Sequence, residues 1–217
     1  MDDYLKNMEP YWTGRFKKED KIWGDTPSNT ARRVLKLFQS LKINKILVPG
    51  SGYGRHTKLF SSSGYNVTGI EISNEACSIA EKNDPNTKVF NGSVLDIGFE
   101  NETFDAIYCF NVLHLFREKE RIKLVNKCFQ ELKMNGICFF VVFSDEEESC
   151  GKGEQIEKNT FESKPGRPVH YFSIEDLLQH FQKYNLIEEG VIDDPEDHGN
   201  IGPHTHRLRY IICKKVA

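Results

Sequence analysis

The chain has 217 residues, of which 38% are hydrophobic and 28% charged, and its net charge is −3. This size and composition predict one ordinary globular domain that spans residues 1–217. The mild acidity gives no support for a broad nucleic-acid-binding surface. No apolar run is long enough to span a membrane, and the polar first ten residues argue against a signal peptide. Six scattered cysteines without a C-x-x-C pair favour free thiols and a cytoplasmic location.

The first 30 residues are rich in aromatic side chains and show no regular period. Trp12 and Trp23 favour burial, so residues 1–30 are predicted to form an ordered but irregular lid segment. A helix is predicted to begin at Thr26 and Pro27, because a capping residue followed by proline is a common helix start. Its buried stripe is predicted to consist of Val34, Leu35, Phe38 and Leu41.

Between residues 31 and 144, short apolar strands alternate with helices. Strands are predicted at residues 46–48, 66–70, 88–90, 104–110 and 137–144. The helices between them are predicted to end at about Gly64, Asn83 and Lys133. The third of these helices is predicted to turn one apolar side inward, formed by Ile122, Val125, Cys128, Phe129 and Leu132. This order predicts an α/β fold with a parallel sheet, and residues 31–144 would form its cofactor-binding core.

The last third of the chain follows a different pattern. Asn135 and Gly136 are predicted to turn the chain into the fifth strand. Residues 145–170 are charged and poorly periodic, which predicts a mobile insert whose acidic run 145–148 is solvated. Residues 171–217 would supply the C-terminal strands and the substrate rim. They contain a predicted capping box at 173–176 and predicted strands at 186–192 and 208–213.

A glycine cluster directly follows the first predicted strand and precedes a helix. Gly50, Gly52 and Gly54 would allow a tight turn and the close approach of a ligand. In a dinucleotide-binding loop the third glycine comes one residue later, and here Arg55 occupies that position. The spacing therefore favours a compact cofactor over a diphosphate.

Two carboxylates follow the next two strands. Glu71, 17 residues after Gly54, can accept hydrogen bonds from both hydroxyls of a ribose. Asp96 can accept an amino hydrogen of adenine, with Val94 and Leu95 beside the ring. Each carboxylate has an ordinary alternative, as a solvent-facing residue at a strand end or in a turn.

Together these motifs resemble those of class I S-adenosylmethionine-dependent methyltransferases, in the stretches VPGSGYG, GIEIS, GSVLDI, FDAIYCFNVLHLF and LKMNGICFFVVF. The resemblance implies a Rossmann-like three-layer sandwich. Its seven-stranded sheet would be mostly parallel, with an antiparallel last strand next to the fifth. S-adenosylmethionine would be the cofactor. The residues expected to bind it are Trp23, Gly50, Gly52, Tyr53, Gly54, Glu71, Ile72, Val94, Leu95, Asp96 and Asn111.

Three further features indicate a subgroup within this family. Pro49 stands where the family usually has an acidic residue, but a Pro-Gly-x-Gly form is similar to the thiopurine-methyltransferase branch. The stretches IWGDTPS and HTHRLRY are similar to the tellurite-resistance and thiopurine-methyltransferase group. In the tellurite-resistance group a His-Arg pair is associated with the acceptor pocket, and the match falls on His206 and Arg207.

These two residues are therefore the catalytic candidates. Methyl transfer from a sulfonium requires alignment and exclusion of water, and a base only when the acceptor is not already ionised. His206 could deprotonate a thiol, and Arg207 could hold an anionic acceptor. Alternatively, Arg207 and Arg209 pair with Asp193, Asp194 or Glu196 as structural ion pairs. Metal binding by His198, His204 and His206 is disfavoured, so no metal is predicted.

The sequence thus predicts a methyltransferase that acts on a small-molecule acceptor, such as a thiol or a chalcogen oxyanion. The alternatives are a nicotinamide-dependent Rossmann oxidoreductase and a methyltransferase that acts on RNA or protein. No membrane partner is expected, a nucleic-acid partner is disfavoured, and the oligomeric state stays open.

Overall fold

A computed structural model describes residues 3–96, 98–101, 103–197 and 202–216. In these ranges the helices are α1 Asp3–Glu19, α2 Asn29–Gln39, α3 Arg55–Ser61, α4 Asn74–Asn83, α5 Glu118–Glu131 and α6 Ile174–His180. The strands are β1 Lys45–Pro49, β2 Asn66–Glu71, β3 Lys88–Asn91, β4 Phe104–Phe110, β5 Leu132–Phe143, β6 Glu154–Glu157, β7 Thr160–Glu162, β8 Val169–His170, β9 Asn185–Asp197 and β10 Pro203–Lys214. None of the described helices combines the length and the apolar character needed to cross a bilayer.

Seven of the strands form one sheet in the order β3-β2-β1-β4-β5-β10-β9. Strands β1, β2 and β3 pair in parallel, as do β4 and β5. Strand β10 pairs antiparallel with β5, with Leu208 opposite Phe143. The predicted α/β fold, with a mostly parallel sheet and an antiparallel last strand next to the fifth, is confirmed.

The chain divides into two compact units. The first comprises Met1–Ile97 and Asp194–Thr205, and the second comprises Gly98–Asp193 and His206–Ala217. Each unit is described below on its own terms, and the grouping of the whole chain into one domain stays a prediction.

In the first unit, the N-terminal segment is regular where an irregular lid was expected. Residues 3–19 form α1 although Pro10 lies inside the helix and removes a backbone donor. Tyr4, Thr13 and Phe16 are buried on this helix. The Thr13 hydroxyl also lies 3.1 Å from the Ser73 hydroxyl at the start of α4. Packing of one face therefore outweighs the unfavourable proline, which local sequence reasoning cannot weigh.

The next helix begins later than the sequence suggests. Its N-cap is Ser28, whose hydroxyl accepts a hydrogen bond from the backbone N–H of Ala31, whereas Thr26 is exposed and lies outside the helix. Val34 and Phe38 are fully buried, but Leu41 is 42% exposed and lies beyond the helix end. The predicted stripe is therefore correct for Val34 and Phe38 and wrong for Leu41.

In the second unit, β5 contains a bulge where a turn was predicted. Asn135 has a φ of 65° within the strand, and the pairing of β4 with β5 shifts between Phe104 and Ala106. Phe104 pairs with Leu132 and Ala106 pairs with Ile137, so β5 has three more residues than β4 between these two pairs and leaves the regular pairing there. On α5, Leu124 is buried and Ile122 is 47% exposed, so the predicted inward position of Ile122 is wrong. The buried side of α5 is rotated relative to the predicted one and contains Leu124, Val125 and Cys128.

The predicted insert at 145–170 contains a small antiparallel sheet with the order β6-β7-β8. A buried polar chain connects it to α6. The His170 ring contacts the Thr160 hydroxyl at 2.8 Å and the Asp176 carboxylate at 2.5 Å. Ser173 caps α6 by accepting from the Asp176 N–H, which confirms the capping residue, whereas the Asp176 carboxylate contacts His170. Whether the insert moves stays a prediction.

The substitution Asp176→Ala should destabilise the protein by about 2–3 kcal/mol, because it leaves the buried His170 N–H without its charged acceptor. Urea unfolding would measure the loss. Glu175→Ala is the matched control, since Glu175 also lies in the first turn of α6 but is exposed. Equal effects of the two substitutions would contradict the proposed importance of the buried hydrogen bond.

Candidate functional site

The glycine cluster forms the turn between β1 and α3. Gly50, Gly52 and Gly54 have φ values of 66°, 58° and 88°, a region that side chains with a Cβ rarely adopt. Gly54 is the N-cap residue of α3. No heavy atom lies within 4 Å of the place where a Cβ on Gly52 would stand, so the loop presents bare backbone there. The three glycines are thus required by conformation, and Gly52 leaves room for a ligand.

Glu71 lies at the end of β2 and is bound to this loop. One carboxylate oxygen accepts from the Gly52 N–H at 2.9 Å, and the other accepts from the Ser73 N–H at 2.8 Å. Burial raises the pKa of Glu71, and the backbone N–H groups oppose that shift. Each carboxylate oxygen keeps a second lone pair for another donor. Ribose binding by Glu71 stays a prediction.

The segment after β3 is a turn that separates buried from exposed residues. Val94 and Leu95 are buried, Asp96 is exposed, and Ile72 after β2 is half-buried. The Leu95 and Asp96 N–H groups both bond to Ser93, at its hydroxyl and its carbonyl respectively. An exposed carboxylate beside two apolar residues is compatible with the predicted adenine contact.

Tyr53 and Trp23 belong to an aromatic cluster. Their rings stack at 6.2 Å with 14° between the planes. The Tyr53 hydroxyl donates to the Gly24 carbonyl at 2.7 Å and accepts from the Trp23 N–H at 3.1 Å. The guanidinium groups of Arg15 and Arg55 lie 5.7 and 5.9 Å from the Trp23 ring. The Tyr53 side chain is only 1% exposed, so we expect it to act on a ligand mainly by holding the glycine loop and the 23–24 turn.

Among the described residues, the buried side-chain oxygens without a hydrogen-bond partner include Ser51 Oγ in the glycine loop and Asn111 Oδ1 after β4. Asn111 also has a φ of 54°, uncommon for a residue with a side chain. Buried polar atoms are normally satisfied. The hydroxyl, ammonium and amino groups of S-adenosylmethionine are donors that such oxygens require, so these residues fit the expected cofactor.

In the second unit, His206 lies on β10, and its side chain contacts residues at and just after the end of β5. Its Nδ1 lies 3.0 Å from Oε1 of Glu147, and its ring stacks on Phe143 at 5.0 Å. Glu147 is 8% exposed, so the expected solvation of the acidic run is wrong for this residue. Its carboxylate is buried because β10 pairs with β5 and brings His206 against the turn after β5.

Arg207 is engaged in ion pairs. Its guanidinium lies 2.8 Å from the Asp193 carboxylate and 3.2 Å from the Glu146 carboxylate. The hydrogen bonds that the guanidinium donates to these two carboxylates raise the pKa of Arg207. Arg209 likewise pairs with Asp145 at 2.9 Å. The ion-pair alternative for Arg207 therefore has direct geometric support, and its role towards an acceptor stays a prediction.

His114 is a buried residue to which the sequence analysis gave no role. Its Nδ1 accepts from the Phe143 N–H at 3.3 Å, and its ring stacks on the Phe143 ring at 4.2 Å. Burial, together with smaller contributions from the nearby His206 and His170, lowers the pKa of His114 to about 3. His114 is therefore a neutral ring. Its position in NVLHLF, directly after a predicted central strand, was the only available signal.

The metal alternative rested on three histidines. His198 lies outside the described residues, and the ring of His204 lies 3.3 Å from the Gly202 carbonyl. Within the ranges that the structure describes, no group of three or more His, Cys, Asp or Glu side chains has a geometry that could hold a metal ion.

Known proteins resemble this chain in sequence and in fold. Residues 47–140 match the family described as a methyltransferase domain. Ubiquinone biosynthesis O-methyltransferase of Actinobacillus pleuropneumoniae serotype 7 (strain AP76) is 22% identical over 157 residues, covering 63% of this chain. The match covers 65% of that relative, a little under two thirds of its length.

Two solved structures have a similar fold. The 1,6-didemethyltoxoflavin-N1-methyltransferase of Burkholderia thailandensis gives a TM-score of 0.76 at 15% identity, over 99% of this chain and 90% of that one. TehB of Haemophilus influenzae gives a TM-score of 0.65 at 14% identity, over 85% of this chain and 62% of that one. At such identities the likeness supports the fold alone.

The matched stretch 47–140 is a little under half of the 217 residues, so the similarity to a methyltransferase domain is established for this stretch only. The recognition of a class I S-adenosylmethionine-dependent methyltransferase is confirmed at the level of this domain, and its fold is shared with TehB, from the expected tellurite-resistance group. S-adenosylmethionine is the cofactor of such a domain, and the toxoflavin enzyme contains its product S-adenosylhomocysteine. The individual site residues of the methyltransferase domain and the flanking segments stay predictions.

The buried His114 should make the stability of the protein depend on pH. Its folded pKa lies below the ordinary 6.5, so the unfolded chain takes up the proton first on acidification. This contribution is fully present above about pH 6.5 and is lost as the pH falls towards 3. His114→Gln keeps an acceptor for the Phe143 N–H but cannot titrate.

Urea unfolding at pH 7.5 and pH 5.5 would test this expectation. The wild type should lose more stability than His114→Gln between these values, by up to roughly 1.4 kcal/mol per pH unit. The difference in unfolding free energy between the wild type and His114→Gln at pH 7.5 measures only the change in packing. Equal losses in both proteins would contradict a neutral, buried His114.

Proposed function

We propose that the protein transfers a methyl group from S-adenosylmethionine to a small molecule whose nucleophilic atom carries a proton. The observation that carries this proposal is the contrast between two neighbouring residues. His206 is held by the buried carboxylate of Glu147, whereas the guanidinium of Arg207 already pairs with Asp193 and Glu146. This arrangement favours proton removal over the capture of an anion.

The first unit supplies the proposed cofactor residues. Glu71 would accept the ribose hydroxyls and Asp96 the adenine amino group, while Val94 and Leu95 flank the ring. The bare backbone at Gly52 would receive the methionine part, where Ser51 offers a buried oxygen without a partner. When bound, S-adenosylmethionine supplies a methyl group already activated on a positively charged sulfur.

His206 and the acceptor carry the proposed proton step. The proton of the acceptor X–H passes to Nε2 of His206, and the electron pair of X forms the new bond to carbon. The bond between that carbon and sulfur breaks, so the cofactor product leaves neutral. The histidine then returns its proton to water. A general base of this kind contributes about 10²- to 10⁴-fold when the acceptor is not already ionised.

A thiol is the acceptor that we favour over a chalcogen oxyanion. An oxyanion needs a cationic group to hold it, and Arg207 would have to give up two carboxylates before it could bind one. A thiol needs only a nearby base, because its ordinary pKa of about 8.5 leaves it mostly protonated at neutral pH.

The alternative functions have less support. A nicotinamide-dependent oxidoreductase would need a diphosphate cradle, and the loop has the shorter glycine spacing. A macromolecular acceptor would need a basic surface, and the net charge is −3. The described cysteines are free thiols, which is consistent with the proposed cytoplasmic location. The acceptors named for the related enzymes are properties of those proteins.

Calorimetry should detect binding of S-adenosylmethionine and S-adenosylhomocysteine to the wild type, and no binding of the nicotinamide nucleotides. Glu71→Ala should weaken this binding by roughly 10- to 100-fold, because two hydrogen bonds to a charged group are lost. Asp96→Ala should weaken it less, since Asp96 is exposed.

Two variants serve as controls in the same titration. Glu81→Ala removes an exposed carboxylate of α4 and should leave the affinity unchanged. His206→Ala should also keep the affinity while it lowers turnover. Binding of a nicotinamide nucleotide alone would overturn the proposal, and loss of cofactor binding in His206→Ala would contradict the role given to that residue.

A further inference from the structure

Glu147 connects two donors from one strand. It lies in the turn that follows β5, and its side chain is 7% exposed. Oε1 lies 3.0 Å from His206 Nδ1, and Oε2 accepts from the backbone N–H of Arg207 at 2.5 Å. The turn is closed by the Glu147 N–H, which donates to the Ser144 carbonyl at 3.0 Å. The carboxylate is therefore a fixed acceptor with one oxygen for each donor.

The His206 ring is fixed by more than this one hydrogen bond. Its face stacks on Phe143 at 5.0 Å with 30° between the planes, so the ring plane is also set. The His114 ring also stacks on this phenyl ring, at 4.2 Å between the ring centroids. A carboxylate accepts but cannot donate, so the contact requires a proton on Nδ1 of His206. In the neutral ring the lone pair then lies on Nε2.

We propose that Glu147 is a positioning residue that keeps His206 in the Nδ1–H form. The inference rests on the proposed function, in which Nε2 of His206 takes the proton of the acceptor. Glu147 itself touches neither acceptor nor cofactor in this scheme. It sets which nitrogen is basic, and its negative charge stabilises the imidazolium that forms when Nε2 is protonated.

The surrounding charges are consistent with this role. Of the other carboxylates in the run 145–148, Asp145 pairs with Arg209, Glu146 with Arg207 and Glu148 with Lys152. The Glu147 carboxylate contacts a histidine, whereas these three contact cationic side chains. The strand β10 turns alternate side chains to opposite sides, which separates Arg207 from His206.

The substitution Glu147→Gln tests this geometry because an amide has one acceptor and one donor. The Arg207 backbone N–H can only donate, so the amide oxygen is expected to stay there. The NH₂ group then faces His206 Nδ1, which must become an acceptor. The proton moves to Nε2, and the nitrogen proposed as the base is blocked. The side chain keeps its size, so packing is preserved.

Nitrogen NMR of protein with ¹⁵N-labelled histidine reports the two forms directly, with the His206 signals assigned through their absence in His206→Gln. The wild type should show the Nδ1–H form, and Glu147→Gln the Nε2–H form. Glu147→Asp retains a carboxylate and should keep the Nδ1–H form. An Nε2–H form in the wild type, or an unchanged form in Glu147→Gln, would overturn the proposal.

Turnover gives the second readout, with 2-mercaptoethanol and phenol as acceptors, both of which are mostly protonated at neutral pH, and release of S-adenosylhomocysteine as the signal. In Glu147→Gln the kcat should fall about 100-fold or more, while the affinity for S-adenosylmethionine stays unchanged. A changed tautomer with unchanged kcat would remove Glu147 from the mechanism. Glu148→Gln is the matched control, because it removes the same charge from a side chain that is 95% exposed.

The two proposals fail in different ways. If the wild type binds S-adenosylmethionine but methylates neither acceptor, the proposed acceptor class is wrong. The NMR measurement still decides whether Glu147 sets the form of His206. If the wild type binds no S-adenosylmethionine, the proposed function itself fails.

Discussion

The carboxylate of Glu71 is the link on which the first unit depends. It lies at the carboxyl end of β2, yet its two oxygens bind backbone N–H groups at Gly52 and Ser73, in two different loops. One buried charge thereby connects the glycine turn after β1 with the start of α4. Burial of a charge is costly unless its hydrogen bonds are made, and here the backbone makes them. The residue expected to bind the ribose is thus also a structural bridge.

The parts that could be predicted from the sequence are those governed by local pattern. The strands β1 to β4 are short apolar runs with clear boundaries, and the Ser73 cap of α4 is a local signal. The glycine loop follows from φ angles that only glycine adopts readily. The antiparallel placement of β10 came from the family resemblance, since no periodicity in the sequence contains it.

The parts that could not be predicted depend on long-range pairing. The helix α1 contains Pro10 and has no strong period, and it is stabilised by residues such as Ser73 that are distant in sequence. Glu147 stands in a run of acids that is typical of a solvated surface. Only the antiparallel pairing of β10 with β5 brings His206 opposite that turn and makes one of these acids a buried partner. For Arg207, the sequence suggested Asp193 as a partner but not Glu146, which β10 reaches through the same pairing.

Phe143 contacts two imidazole rings, since the ring centroid of His114 lies 4.2 Å and that of His206 lies 5.0 Å from its own. One phenyl ring therefore packs against a histidine that burial keeps neutral and against a histidine that is proposed to gain charge during each cycle. It packs against both imidazoles without adding a polar group that would need its own partner. Position 143 is therefore expected to tolerate only aromatic side chains, because an aliphatic residue would alter the environment of both histidines at once.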